Sequence, residues 1–166
     1  PFGRYFTRSL VLAARHGATV ALLHDRPVLG GNSSSEVRVT PHGAAAFHAY
    51  AREGGIIAEA LIEDRARNHE RITENGWTNS VWDMILYDLV QRTPGLTLRL
   101  NTPVIDAEVS DGRILSVTAR NINAETAYTV EGRVFIDCTG DGTLGAVAGC
   151  ESRHGIESRA EFGEPS

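Results

Sequence analysis

Two short glycine-rich segments carry residue types that could bind a ligand. They are Gly30, Gly31, Asn32 and Ser33, which we call the first glycine segment, and Thr139, Gly140, Asp141 and Gly142, the second glycine segment. Each comes after an apolar run that predicts a buried strand, residues 19–23 and residues 134–136. In open α/β sheets, ligands bind beyond the carboxyl ends of strands, and glycine lets backbone N–H groups approach a phosphate or a planar ring. Taken alone, each segment is as typical of an ordinary turn as of a ligand-binding loop. Together they favour a nucleotide-type ligand.

Residues beyond the first glycine segment could act on a substrate. Arg38 could hold an anionic substrate or pair with Glu36, and His42 could bind substrate, handle a proton or make a structural hydrogen bond. Arg38 and His42 are therefore catalytic candidates without an assigned role. His42 and His48 lack the close spacing of metal ligands, and the sequence has no Cys-x-x-Cys pair, so no metal site is expected.

Composition excludes several classes of function. All 16 basic residues are arginine, so this sequence has neither a P-loop lysine nor a Schiff-base lysine. The net charge of −5 argues against a nucleic-acid surface. Two cysteines, Cys138 and Cys150, are too few for a disulfide framework and indicate a reducing, cytoplasmic setting. No apolar stretch approaches the roughly 20 residues that span a bilayer, and no signal peptide is recognisable, so no membrane partner is expected.

The elements that must position these residues alternate between helix and strand, over a length that suits about one domain. Apolar residues at helical spacing predict helices over residues 10–16, most of 44–70, and 81–90, with a short helix at 144–148. Strand formers predict strands over residues 19–23, 96–100, 104–109, 114–120, 128–130 and 134–136, with a hairpin turn at Asp111-Gly112. This order indicates an α/β fold with a parallel sheet.

Several segments resemble the FAD-dependent oxidoreductase family of two-dinucleotide-binding-domain flavoproteins. They are Ala13-Ala14-Arg15-His16-Gly17, Val20-Ala21-Leu22-Leu23, Asp25-Arg26-Pro27-Val28-Leu29-Gly30-Gly31-Asn32, Trp82-Asp83, Asn101-Thr102-Pro103-Val104 and Ile136-Asp137-Cys138-Thr139-Gly140-Asp141-Gly142. The likeness extends over roughly residues 12–164. It implies a Rossmann-like FAD-binding domain over residues 1–166, with a helical insertion at about 41–95, strands and a β-meander at about 96–136, and a cofactor motif and helix at 137–150.

The resemblance also implies which residues contact FAD. The end of the strand at residues 19–23 should meet the adenosine ribose; His24 occupies the usual acidic position, but Asp25 is favoured because a carboxylate accepts from both ribose hydroxyls. Arg26 is expected near the pyrophosphate or the adenine, and the backbone of Val104 near the adenine edge. Further contacts are expected from Gly30, Gly31, Asn32 and Ser33 on the pyrophosphate and flavin side, and from Thr139, Gly140 and Asp141 against the cofactor.

The amino-terminal residues depart from this family pattern. Family members open with a strand and a Gly-x-Gly-x-x-Gly turn, whereas here Gly3 matches one glycine, Phe6 occupies the last glycine position and the first strand is missing. We therefore expect a fragment, the FAD-binding part of a bacterial-type oxidoreductase that transfers a hydride or electrons between flavin and a small-molecule substrate. Two alternatives stay open: a nicotinamide-dinucleotide domain, and a non-catalytic remnant or interaction domain that has lost dinucleotide binding.

Overall fold

A computed structural model describes residues 3–41, 54–71 and 76–153, together with Gly155 and Gly163. Within these residues the α-helices are α1 (Gly3–Arg15), α2 (Ile56–Arg67), α3 (Ser80–Gln91) and α4 (Thr143–Val147). The strands are β1 (Val20–Leu23), β2 (Leu96–Arg99), β3 (Val104–Ser110), β4 (Arg113–Asn121) and β5 (Thr126–Glu131). A 3-10 turn (Gly31–Ser33) lies within the first glycine segment.

The strands β1 and β2 form a parallel pair in which Leu22 lies opposite Leu98. Beyond the last residue of β1, the His24 N–H donates to the Arg99 carbonyl at 2.9 Å. The chain that follows β1 is therefore attached to the end of β2. The predicted parallel sheet and α/β fold are confirmed.

The hydrophobic core lies between this parallel pair and helices α1, α2 and α3. The helix α3 begins where the Asn79 side chain caps it by accepting from the Val81 and Trp82 N–H groups, at 3.1 and 3.2 Å. Its apolar face is almost fully buried, so α3 is held in the core. Neighbouring loops therefore have a fixed element to pack against. The buried apolar residues of this core are Leu10, Val11, Ala14, Val20, Leu22, Leu29, Ile56, Ala60, Trp82, Ile85, Leu86, Leu89 and Val90.

A second, antiparallel sheet has the strand order β3-β4-β5. Asp111 and Gly112 join β3 to β4 with φ angles of 50° and 72°, the two positive values of a type I′ hairpin turn, so the predicted hairpin is confirmed. The Asn121 side chain at the end of β4 donates to the Leu100 carbonyl at 3.0 Å and to Thr102 Oγ1 at 3.1 Å. These bonds tie the second sheet to the end of β2.

The prediction of a strand at residues 134–136 is wrong. These residues form no strand, and Val134 and Ile136 are 79% and 46% exposed. Apolar composition favours a strand, but a strand also needs a neighbour whose N–H and C=O groups it can pair with. The sheets formed by the described residues do not supply one at this point.

Predictions for the helical regions have mixed outcomes. The helix expected at residues 10–16 begins earlier, at Gly3, and the helix expected over 81–90 is α3. Of the expected helical stretch at 44–70, residues 56–67 form α2, and residues 44–53 lie outside the described part. The division of the chain into insertion, meander and cofactor motif stays a prediction. No helix among the described residues has the length and apolar character needed to cross a bilayer.

Candidate functional site

Three predicted ligand-binding residues follow β1 directly. The His24 ring is largely buried, and its Nε2 lies 2.8 Å from the Val28 carbonyl oxygen, so this nitrogen carries a proton and donates it. The Asp25 side chain is 65% exposed. Of the two residues considered for the ribose contact, Asp25 therefore has the more accessible polar group, while His24 holds its own loop together.

Arg26 forms an ion pair that spans the loop. Its Nη1 lies 3.1 Å from Glu36 Oε2, and both side chains are partly exposed. The expected alternative pairing of Arg38 with Glu36 is not formed; Arg38 Nε instead donates to the Ser35 carbonyl at 3.1 Å. Arg38 lies on the surface with φ of 62°, and His42 lies outside the described residues.

The first glycine segment is folded back on itself by serine hydroxyls. Ser33 Oγ donates to the Gly30 carbonyl at 3.0 Å, and Ser34 Oγ donates to the Gly31 carbonyl at 2.7 Å. The backbone N–H groups of the same two serines donate to the same two carbonyls, each at 3.0 Å. Ser33 and Ser34 are buried, so Ser33, predicted to contact the cofactor, faces the protein and stabilises the turn.

The same fold leaves three consecutive donors unused. Within the described part of the chain, the backbone N–H groups of Gly30, Gly31 and Asn32 make no hydrogen bond. Gly30 and Gly31 have φ angles of 113° and 56°, which L-residues rarely adopt and glycine adopts readily. Successive backbone N–H groups in such conformations form an anion-binding concavity. This donor set fits the pyrophosphate of a dinucleotide.

Helix α3 packs against the first glycine segment. A Cβ built on Gly30 would meet Leu86 Cδ1 at 3.0 Å and the Ser34 nitrogen at 3.2 Å, so Gly30 rests closely on the helix. The buried Asp83 carboxylate accepts from the Ser35 N–H at 2.9 Å. No local pattern in the sequence marks Asp83 or Leu86 as a site residue, because the hydrogen bond of Asp83 joins positions 48 residues apart and periodicity along one helix does not reveal it.

The second glycine segment is organised by one carboxylate. Asp137 Oδ1 accepts from the Thr139 N–H at 2.9 Å and from Thr139 Oγ1 at 2.8 Å, and Asp137 Oδ2 accepts from the Gly145 N–H at 3.0 Å. Burial raises the pKa of Asp137, but hydrogen bonds from Thr139, Gly145 and Leu144 outweigh it and lower the pKa overall. The carboxylate is therefore kept ionised where it caps the first turn of α4.

The tip of this second segment is open. Gly140 has φ of 87°, and a Cβ built on it would meet nothing within 4 Å. The N–H groups of Gly140, Asp141 and Gly142 have no hydrogen-bond partner among the described residues. A planar or anionic group could thus approach this backbone without meeting a side chain. Asp137 was missed as the organising residue, although the Asp-x-Thr spacing is typical of an Asx turn.

Cys138 next to this segment does not have the character of a redox nucleophile. Burial and the nearby Asp137 carboxylate raise the pKa of its thiol, which keeps it protonated. Cys138 and Cys150 are both unpaired. The Cys138 side chain is half-buried.

The remaining predicted contact residue, Val104, opens β3 and lies opposite Ala119. It is half-buried, as expected for a residue at the start of a strand next to a connection. In the described part of the chain, no hydrogen bond or ion pair joins the first glycine segment to the second. No group of three or more His, Cys, Asp or Glu side chains there could hold a metal ion.

Comparisons with known proteins give one finding. A family model described as FAD dependent oxidoreductase matches residues 10–166, which is nearly the whole chain. Neither the search of curated proteins nor the search of solved structures found a significant match.

Proposed function

The chain belongs to the FAD-dependent oxidoreductase family, and from that premise we propose that it binds FAD and is the cofactor-binding part of a flavin-dependent oxidoreductase. The observation that carries this proposal is the row of three unpartnered backbone N–H groups at Gly30, Gly31 and Asn32. They follow a parallel strand, where α/β proteins bind ligands. Consecutive backbone N–H donors of this kind suit the phosphates of a dinucleotide.

The residues around this row would hold the other parts of the cofactor. The exposed Asp25 carboxylate would accept hydrogen bonds from the ribose hydroxyls, and Arg26 would add a positive charge near the phosphates. The Val104 backbone would pair with the adenine edge. Thr139, Gly140 and Asp141 would lie against the cofactor, and the open space at Gly140 supports that close approach.

Bound flavin would supply the hydride or electron chemistry, and the protein would supply binding, orientation and the local electrostatics. The three N–H dipoles of the first glycine segment would offset the negative charge of the phosphates. Arg38, exposed beside this segment, would be available to an anionic small-molecule substrate, and His42 is proposed as a further substrate-binding or proton-handling group. The net charge of −5 and the two unpaired thiols support a cytoplasmic setting without nucleic-acid partners.

A spectroscopic titration tests the proposal. The purified chain is titrated with FAD and separately with NAD⁺, while the visible spectrum and the flavin fluorescence are recorded, and the released cofactor is identified by chromatography. Saturable binding of FAD with a perturbed flavin spectrum is expected. A chain that leaves FAD fluorescence and absorbance unchanged would contradict the proposal, and saturable binding of NAD⁺ alone would favour a nicotinamide-dinucleotide domain.

The variant Asp25→Asn tests the ribose contact within the same titration. Removing the charge weakens a carboxylate–hydroxyl interaction, so we expect FAD affinity to fall about tenfold. The matched control is Asp111→Asn, which changes an aspartate in the β3–β4 hairpin turn and should leave FAD affinity unchanged. Equal FAD affinities for both variants and the unaltered chain would show that Asp25 does not contact the cofactor.

A further inference from the structure

The first glycine segment binds a ligand most tightly if its three unused N–H groups are held in position before binding. A loop whose donors must be ordered during binding loses affinity to the entropy of ordering. The inward-facing hydroxyls of Ser33 and Ser34 close the turn, but they do not attach it to the rest of the protein. Attachment requires contacts to an element that is itself fixed.

Helix α3 is such an element. Asn79 caps its first turn, and Trp82 and Ile85 are each only 1% exposed. At its start the helix is tied to α2, because Asn79 and the Asn68 side chain exchange two hydrogen bonds of 2.8 and 3.1 Å. The base of the first glycine segment therefore rests on a helix that is held on several sides.

Among the described residues, Asp83 makes the side-chain hydrogen bond from α3 to this loop. Its Oδ1 accepts from the Ser35 N–H at 2.9 Å, directly after the turn that presents the three free donors. Asp83 is 8% exposed, and a charged group is costly to bury unless its position and bonds compensate. Its place in the first turn of α3 offsets part of that cost through the helix dipole.

We propose that Asp83 is a positioning residue for the cofactor site: its carboxylate oxygen fixes Ser35 and thereby holds the first glycine segment in its binding conformation. This inference rests on the proposed function. The proposal requires an oxygen acceptor in this position. The hydrogen bond to Ser35, rather than the negative charge of Asp83, is therefore the property that holds the loop. Leu86, one turn further along α3, supplies the contact beneath Gly30.

Two substitutions separate the oxygen from the charge. Asp83→Asn keeps an oxygen at the same distance from the backbone and removes the charge, whereas Asp83→Glu keeps the charge and moves the oxygen by one methylene group. Asp83→Ala removes both. The matched control is Asp88→Ala on the same helix, whose carboxylate bonds to Arg67 and Arg92 and not to the loop.

The experiment uses two measurements on each variant. Hydrogen exchange of the Ser35 amide is measured without FAD, and FAD affinity is measured by fluorescence titration. Asp83→Ala and Asp83→Glu should exchange the Ser35 amide about tenfold faster and bind FAD about tenfold more weakly, the loss expected for one hydrogen bond. Asp83→Asn and Asp88→Ala should stay within about threefold of the unaltered chain in both measurements.

Opposite results would overturn the inference. If Asp83→Glu behaved normally and Asp83→Asn did not, charge rather than the hydrogen bond would control the loop. Unchanged Ser35 exchange in Asp83→Glu and Asp83→Ala would show that Asp83 does not hold the loop. The proposed function fails separately: the unaltered chain would bind no FAD, while the exchange measurement would still report whether Asp83 fixes Ser35. Should Asp83→Ala not fold, the Asn and Glu variants decide the question.

Discussion

The first and second glycine segments have similar compositions and very different supports. The first follows a paired strand, is closed by two buried serines and rests on α3 through Leu86 and Asp83. The second follows an exposed, unpaired stretch at residues 134–136 and depends on the Asp137 carboxylate for its shape. Glycine leaves the backbone open to close approach by a ligand, whereas contacts from other elements decide whether that backbone is held in place.

This difference has consequences for local stability. A segment attached to a buried helix opens only when part of the core is disturbed, whereas an exposed turn held by local bonds can open by itself. We therefore expect the first glycine segment to be pre-ordered for binding. The second segment should be the one that gains most order when a ligand covers it.

The largest expected effect comes from a methyl group at the first segment. In Gly30→Ala the new Cβ meets Leu86 and the Ser34 nitrogen, and the residue must keep φ of 113°. Overpacking and left-handed strain together should lower the free energy of unfolding by about 2–4 kcal/mol, measured by urea denaturation.

Gly140→Ala is the matched control, since φ there is 87° but the added Cβ meets nothing within 4 Å. Only conformational strain remains, and the loss should stay within about 1–2 kcal/mol. Equal losses in the two variants would contradict the difference in support between the segments.

An intermediate effect is expected from acid at the second segment. Because hydrogen bonds lower the pKa of Asp137 in the folded chain, its stabilising contribution is complete above the ordinary aspartate pKa of about 3.9 and is lost as the pH falls through the lower folded value. The Gly145 amide, which donates to Asp137, should then lose hydrogen-exchange protection below about pH 4, after correction for intrinsic exchange.

Asp137→Asn is the control for that titration. Asp137 uses both of its oxygens as acceptors, and an asparagine has only one, so protection at Gly145 should already be weaker at neutral pH. Because asparagine does not ionise, that protection should not change further in acid. A Gly145 amide that kept full protection through the acid range in the unaltered chain would show that another group organises the second glycine segment.

The smallest expected effect comes from Glu36→Gln, which removes the ion pair with Arg26 across the first loop. Both side chains are partly exposed, so the pair should contribute about 0.2–1 kcal/mol and less at high salt. Urea denaturation at two salt concentrations measures it. A loss well above 1 kcal/mol would mean that the first glycine segment depends on this pair rather than on α3.

Local patterns in the sequence predicted the elements well. The spacing of Trp82, Ile85 and Leu89 predicted α3, and Asp111-Gly112 predicted the hairpin, because both depend on residues close together in the chain. The apolar run at residues 19–23 also predicted a strand of the kind found in parallel sheets, which is β1. These features need no knowledge of distant partners.

Features that depend on distant partners could not be predicted in the same way. Residues 134–136 have the composition of a strand but lack a neighbour to pair with in the described sheets. Glu36 pairs with Arg26 rather than Arg38, because the loop returns toward the end of β1. The contact between Asp83 and Ser35 joins two elements far apart in the sequence, and no local pattern marks it.

Hydrogen exchange with and without FAD tests the central claim most directly. The amides of Gly30, Gly31 and Asn32 have no partner within the described chain, so FAD bound through its phosphates should slow their exchange. The amide of Gly112, in the hairpin turn, should be unaffected. FAD that binds without protecting these three amides, or that fails to bind, would contradict the assignment of the first glycine segment as the cofactor site.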